Sequence, residues 1–192
     1  MKYFFDFGAH QGEAVRLFRE KYDPECKFKI ISYEPNISIK TKMVENHELK
    51  RYAVWVNNDL IDLYPGKHCD GTTCMRGVRK VNYKRPVKVP AVDIVDILAT
   101  INKEDFVVMK FNIEGGEYKV LPRILENGDP KKIDILMVQW HGNAIDSISQ
   151  KYHNRLVKKC REQFKVFIDL KPGAYIENKG ASGRFGDLAK YL

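Results

Sequence analysis

Residues 2–12 read K-Y-F-F-D-F-G-A-H-Q-G, and the expected fold is built outward from this stretch. Tyr3, Phe4 and Phe5 form a short aromatic run of the kind a buried central strand uses. The run ends at Asp6, the chain turns through Gly8 and Gly12, and a helical pattern begins at Glu13. Strand, glycine turn and helix place backbone N–H groups at a helix N-terminus, where they face a polar ligand. The next apolar run, I-I-S-Y-E-P, ends in Glu34, about 22 residues beyond Gly12. An acidic residue at that distance commonly accepts hydrogen bonds from a ribose. Together the two features point to a nucleoside-containing cofactor at the carboxyl ends of parallel strands.

The rest of the chain alternates between the two periodicities. In residues 13–22, Ala14, Val15, Leu17, Phe18 and Tyr22 form a helical stripe that Asp23-Pro24 ends. Residues 28–33 read as the second strand. Asn36 or Ser38 is placed to cap a helix running to about residue 46, with Ile39 and Met43 inward. Residues 49–56 read as a third strand, and residues 60–64 with Pro65-Gly66 as an added hairpin. Residues 68–83 are polar and lack a period, so they are expected to form a long loop, a lid by type. Residues 87–92 lead as a strand to Asp93 and a helix ending near residue 101, with Ile94, Ile97 and Leu98 on one face. A strand over 106–113, a helix over 118–126, a strand over 133–140 and an amphipathic helix over 148–164 follow. Residues 166–170 and 174–177 are expected to close the chain as an antiparallel hairpin turning at Lys171-Pro172-Gly173. This order implies one α/β domain over residues 1–192, with helices on both faces of the sheet.

Composition sets outer bounds. At 192 residues, 44% hydrophobic and 30% charged, the chain is an ordinary globular sequence. No apolar run approaches the ~20 residues that span a bilayer. Lys2 is followed by a run too short for a signal-peptide core, so a cytoplasmic setting is expected. Cys26, Cys69, Cys74 and Cys160 are scattered without metal-ligand spacing, which favours free thiols over a disulfide or zinc framework. The Asn36-Ile37-Ser38 sequon carries little weight without secretion. A net charge of +8 favours acidic partners through long-range steering, although a lysine-rich solvated surface gives the same number.

A second polar stretch, K-F-N-I-E-G-G-E at residues 110–117, ends the strand over 106–113. Strand alternation puts Lys110 and Asn112 on one face, with Met109 and Phe111 on the other. Asn112, Glu114 and Glu117 then collect where an open α/β sheet binds ligands. Glu114 and Glu117 equally suit a helix N-terminus, where negative charge is favourable, and the sequence leaves both readings open. His141 ends the next strand at the same edge and is a general-base candidate beside those carboxylates. His10 lies within the glycine turn and is read as shaping the loop.

The succession D-F-G-A-H-Q-G, Y-E-P-N, V-D-I-V-D-I-L, V-V-M-K-F-N-I-E-G-G-E-Y-K-V-L and Q-W-H resembles the FkbM-type S-adenosylmethionine-dependent methyltransferases over residues 3–141. That family shows a D-x-G-A-x-x-G loop, an E-P-N after the second strand, and K-x-D-x-E-G-A-E before a helix. The resemblance implies a class I methyltransferase fold: a Rossmann-like, seven-stranded, mostly parallel sheet ending in an antiparallel hairpin. It implies that Asp6, Gly8, Ala9, His10 and Gly12 surround the methionine part of S-adenosyl-L-methionine. Glu34 would hold the ribose with Pro35 and Asn36 beside it, and Ala53 and Val54 would lie near the adenine. Lys110, Asn112 and Glu114 would line the reacting side, and Thr72-Thr73 match a hydroxyl pair found in such proteins. Asn112 stands where the family's aspartate is usual. Asparagine keeps the hydrogen bonds but is no base and a poor ligand for a hard divalent metal, so no metal is expected.

The expected activity is methyl transfer to a hydroxyl of a sugar or other small molecule, with Glu114, Glu117 or His141 as base and Lys110 orienting the acceptor. RNA ribose 2′-hydroxyls are the alternative acceptor, through Arg76, Arg79, Lys80, Lys84 and Arg85 acting on phosphates. A non-catalytic nucleoside-binding module is the second alternative.

Overall fold

The computed structural model describes residues 1–66, 72–79, 81–170 and 185–192. Its centre is a six-stranded, all-parallel sheet. In chain order its strands are β1 (Lys2–Phe7), β2 (Lys29–Tyr33), β3 (His47–Lys50), β7 (Phe106–Phe111), β8 (Ile135–Gln139) and β9 (Val166–Leu170). They lie side by side as β3-β2-β1-β7-β8-β9. A smaller sheet of order β4-β6-β5 is built from β4 (Ala53–Trp55), β5 (Leu60–Leu63) and β6 (Val87–Asp93). The helices are α1 (Glu13–Lys21), α2 (Ile94–Ala99), α3 (Glu117–Asn127) and α4 (Gln150–Gln163).

The central strands are apolar on both sides because both faces are covered. Along β1, Phe5 and Phe7 enter a core shared with α2, α3 and α4, whereas Phe4 enters a second core under α1. Phe4 stacks on Phe18 of α1 with centroids 4.0 Å apart. This alternation is what a doubly covered strand requires. On the first face α2 and α3 are tied by Asp93, which caps Val95 N–H and meets Arg123 at 2.8 Å.

Four expectations change. Residues 36–46 form no helix: they run as turns and coil, and the strand β3 begins only at His47. Their backbone groups find partners outside the segment instead. Lys42 N–H donates to Gln11 C=O at 3.0 Å, and Arg51 donates to the carbonyls of Asn36 and Ile39 at 3.1 and 3.0 Å. The expected third strand over 49–56 is two strands in different sheets, broken at Arg51-Tyr52, where Arg51 turns its side chain back to hold that strap. Residues 60–63 pair antiparallel with β6, far along the chain, and the local closure among the described residues is a single antiparallel bridge between Tyr64 and Thr73. Finally, Val166–Leu170 lies parallel and next to β8, and the main sheet has six strands among the described residues where seven were expected. The turn at Lys171-Pro172-Gly173 and the partner strand over 174–177 lie outside the described residues.

The chain leaves β1 on one side and β7 on the other, although the two strands are neighbours. The crevice beyond their carboxyl ends is the topological switch point at which open α/β sheets bind ligands. Among the described residues no helix is long and apolar enough to cross a membrane.

Candidate active site

The loop after β1 is shaped by close backbone contact. Gly8 has φ +81°, and a Cβ there would stand 2.0 Å from the Asn112 carbonyl oxygen, so only glycine fits. Gly8 and Ala9 N–H both donate to Tyr33 C=O, at 3.0 and 3.1 Å, which docks the turn on the end of β2. Gly12 is also left-handed, and a Cβ there would meet the Lys42 carbonyl at 2.6 Å. His10, at φ 48°, turns its backbone N–H onto Glu34 Oε2 at 2.9 Å. Asn36 N–H donates to Glu34 Oε1, also at 2.9 Å. Burial raises the Glu34 pKa above the usual carboxylate value, and these two N–H groups pull against that rise.

The β7 loop supplies the opposite wall. Lys110 is buried, with Nζ 2.7 Å from Asp6 Oδ1 and 3.2 Å from the Gly8 carbonyl. Burial raises the pKa of Asp6 despite the adjacent ammonium. Asp6 Oδ2 is buried without a partner among the described residues. Beyond Asn112 the chain reverses through Glu114 (φ 53°) and Gly115 (φ 102°). Thr73 Oγ1 donates to Glu114 C=O at 2.6 Å and takes Met75 N–H at 2.9 Å, fastening the 72–79 segment to this turn. Glu117 is fully buried and accepts Ile113 N–H at 2.7 Å and Gly115 N–H at 2.8 Å. Its Oε1 also lies 3.1 Å from His141 Nδ1, and His141 Nε2 lies 3.5 Å from Glu114 Oε1. Burial works to lower the His141 pKa, but Glu117 and Glu114 outweigh it and raise the value above 6.5, with Lys110 opposing them.

Between the two loops lies a cleft of about 420 Å³, within the size range of small-molecule sites. It brings together Gly8, Ala9, His10, Glu34, Pro35, Ala53, Val54, Lys110, Asn112 and Glu114, with Thr72 at its rim. Asp6 lies beneath it, holding Lys110. Gly12, Asn36, Glu117 and His141 do not line it and stand one layer back. The sequence reading missed Tyr33, Ile39, Tyr52, Trp55 and Cys74, which complete the apolar wall, and above all Gln139. Gln139 Oε1 is buried with no partner among the described residues, although the residue lines the cleft. Two-residue alternation back from His141 was the signal for it.

The basic residues assigned to a nucleic-acid partner divide. Arg76 Nε donates to Tyr64 Oη at 2.9 Å, with its guanidinium over the ring. Arg79 donates to Asn143 C=O and pairs with Asp146 at 3.7 Å. Lys84 and Arg85 are exposed, and Lys80 lies outside the described residues. Among the described residues no three His, Cys, Asp or Glu side chains are grouped to hold a metal ion.

With that arrangement in place, comparison with known families matches residues 6–165 to the methyltransferase FkbM domain. The chain belongs to the FkbM methyltransferase family. The match runs from the end of β1 through α4 and so takes in both loops and every residue that lines the cleft. Comparison with curated proteins and with solved structures gave no match.

The cleft's chemistry fits S-adenosylmethionine as a methyltransferase's methyl donor. A carboxylate at one end, Glu34, suits ribose hydroxyls. The apolar side chains of Val54 and Trp55 suit a planar base, and the unpartnered Gln139 oxygen suits an N–H or O–H donor.

Proposed function

We propose that this FkbM-family methyltransferase uses S-adenosylmethionine to methylate a hydroxyl oxygen of a sugar or other small molecule. The observation that carries the reading is the cleft at the β1/β7 switch point, with Glu34 at one end and Lys110, Asn112 and Glu114 at the other. Gly8, Ala9 and His10 would hold the methionine part, Glu34 and Pro35 the ribose, and Ala53 and Val54 the adenine. When bound, the cofactor supplies an electrophilic methyl carbon on a sulfonium. The chain's own residues have the remaining work: aligning the acceptor oxygen and taking its proton. Much of the rate of such a displacement comes from alignment. Lys110, fixed by Asp6 and Gly8, offers a rigid positive charge toward an acceptor oxygen that becomes more negative. Asn112 contributes hydrogen bonds without acting as a base.

Two measurements test this reading: calorimetric binding of S-adenosylmethionine, and transfer of its labelled methyl group into a glycan and metabolite extract. Absence of binding sinks it. Binding without transfer to any acceptor turns the reading toward a non-catalytic nucleoside-binding module.

RNA is the second acceptor reading. The segment carrying Arg76 and Arg79 also carries Thr72 and Thr73, at the rim of the cleft and on the Glu114 turn. Basic groups anchored there, with the exposed Lys84 and Arg85, would lie along a bound strand and contact its phosphates.

A further inference from the structure

We propose that His141 is the proton acceptor in this reaction and that Glu117 is the residue that positions it, an assignment that rests on the methyltransferase reading. Glu117 itself is unsuited to meeting a substrate. It is fully buried, and its two oxygens already take two backbone N–H groups besides the imidazole. Three donors on one enclosed carboxylate hold it in place. With Nδ1–H donating to Glu117 Oε1, the neutral ring carries its lone pair on Nε2. That nitrogen faces Glu114 Oε1 at 3.5 Å and the Gln139 amide at 3.3 Å, and both of those residues line the cleft.

The step is a proton relay. The acceptor's O–H bond breaks with its electron pair left on oxygen; the proton passes to the Glu114 carboxylate, which lines the cleft, and from it to the Nε2 lone pair that Glu114 Oε1 faces. The resulting imidazolium lies between two carboxylates, Glu117 from α3 and Glu114 from the β7 loop. Lys110 of β7 is the positive group that opposes it. Glu114, held on its left-handed turn by Thr73, thus stabilises the charged ring from the cleft side. The same arrangement explains why a motif lying just before a helix carries two acids with different exposure: one faces the cleft and the other is sealed behind it.

Three readouts separate this assignment from a structural role. NMR titration of the His141 ring in the unaltered protein should give a pKa above 6.5, and Glu117→Gln should lower it. Transfer to an acceptor-containing metabolite fraction should rise with pH through that same value, and Glu117→Gln should move the inflection to lower pH. His141→Gln should lose roughly 10²- to 10⁴-fold in rate while binding S-adenosylmethionine with unchanged affinity. Should Glu117→Gln fail to fold, the His141→Gln rate and the titration of the unaltered protein still decide. A His141 pKa at or below 6.5, or a full rate in His141→Gln, overturns the assignment and leaves the methyltransferase reading standing. No cofactor binding by the unaltered protein overturns both.

Discussion

Asp6 and Lys110 stand opposite one another in register on the two central strands, with Lys110 Nζ 2.7 Å from Asp6 Oδ1 and both side chains sealed from solvent. A buried pair of this kind contributes little net stability when intact, because desolvation offsets the attraction. Removing one partner strands the other charge. We expect Asp6→Asn to destabilise the protein by about 3–5 kcal/mol and Lys110→Met to do the same. The double variant should cost clearly less than the sum. Urea midpoints of the four proteins test this, and strict additivity would show that the pair is not coupled.

Gly8→Ala is expected to be out of proportion to its size. The new methyl group would overlap the Asn112 carbonyl oxygen, and the residue would have to hold φ +81°. The left-handed backbone alone costs about 1–2 kcal/mol, and relieving the overlap moves both loops of the cleft. Stability should fall by more than that amount, and S-adenosylmethionine binding should be lost in calorimetry.

Glu34→Ala removes the carboxylate proposed for the ribose and also frees the His10 and Asn36 N–H groups. Hydrogen bonds to a charged group contribute about 1.5–3 kcal/mol, so the cofactor Kd should rise roughly 10- to 150-fold. An unchanged Kd would remove Glu34 from the cofactor site.

His47 makes stability depend on pH. Its Nε2 lies 2.6 Å from Ser32 Oγ, and burial, together with the Arg19 charge, lowers its pKa to about 4. In the unfolded chain the ring titrates near ~6.5. Between those values the unfolded state binds a proton that the folded state refuses, so stability falls as pH drops through that window. Above pH ~6.5 the ring is neutral in both states and contributes nothing to this dependence. Because the ring is only partly enclosed, the total effect is discounted to about 1–2 kcal/mol. Urea midpoints at pH 7 and 4.5 should converge in His47→Gln.

Charge reversal at Lys84 and Arg85 separates the two acceptor readings. If RNA is the acceptor, the double variant should weaken binding and reduce the log–log salt slope by roughly 1.4, about 0.7 for each lost phosphate contact. Transfer to a small hydroxyl compound should be untouched by the same change.

The central sheet was legible because its strands obey strong local rules. Aromatic and aliphatic runs such as residues 3–5 and 107–109 announce strands buried on both faces, and glycines mark where they end. Residues 36–46 were misread because Ile39 and Met43 fit a helical spacing, whereas the decisive partner, the Arg51 guanidinium, comes from beyond the segment. The break between β3 and β4 was hidden for the same reason: nothing local distinguishes a strand that changes sheet from one that continues. At the site, residue types were readable but their depth was not. Glu114 and Glu117 are equivalent in the sequence, and only packing shows that one lines the cleft and the other is enclosed.

The Arg51 strap divides the cleft into halves that differ in how freely they can change. The half around Glu34 is assembled in advance: a guanidinium fixes its covering segment, and two backbone N–H groups fix its carboxylate. A ligand bound there meets groups already in place, so little ordering cost is due on association. The opposite rim depends on Thr73, whose hydroxyl joins the 72–79 segment to the Glu114 turn. Substitutions along that segment can therefore reshape what enters beside Lys110 and Gln139 without disturbing the prebuilt half.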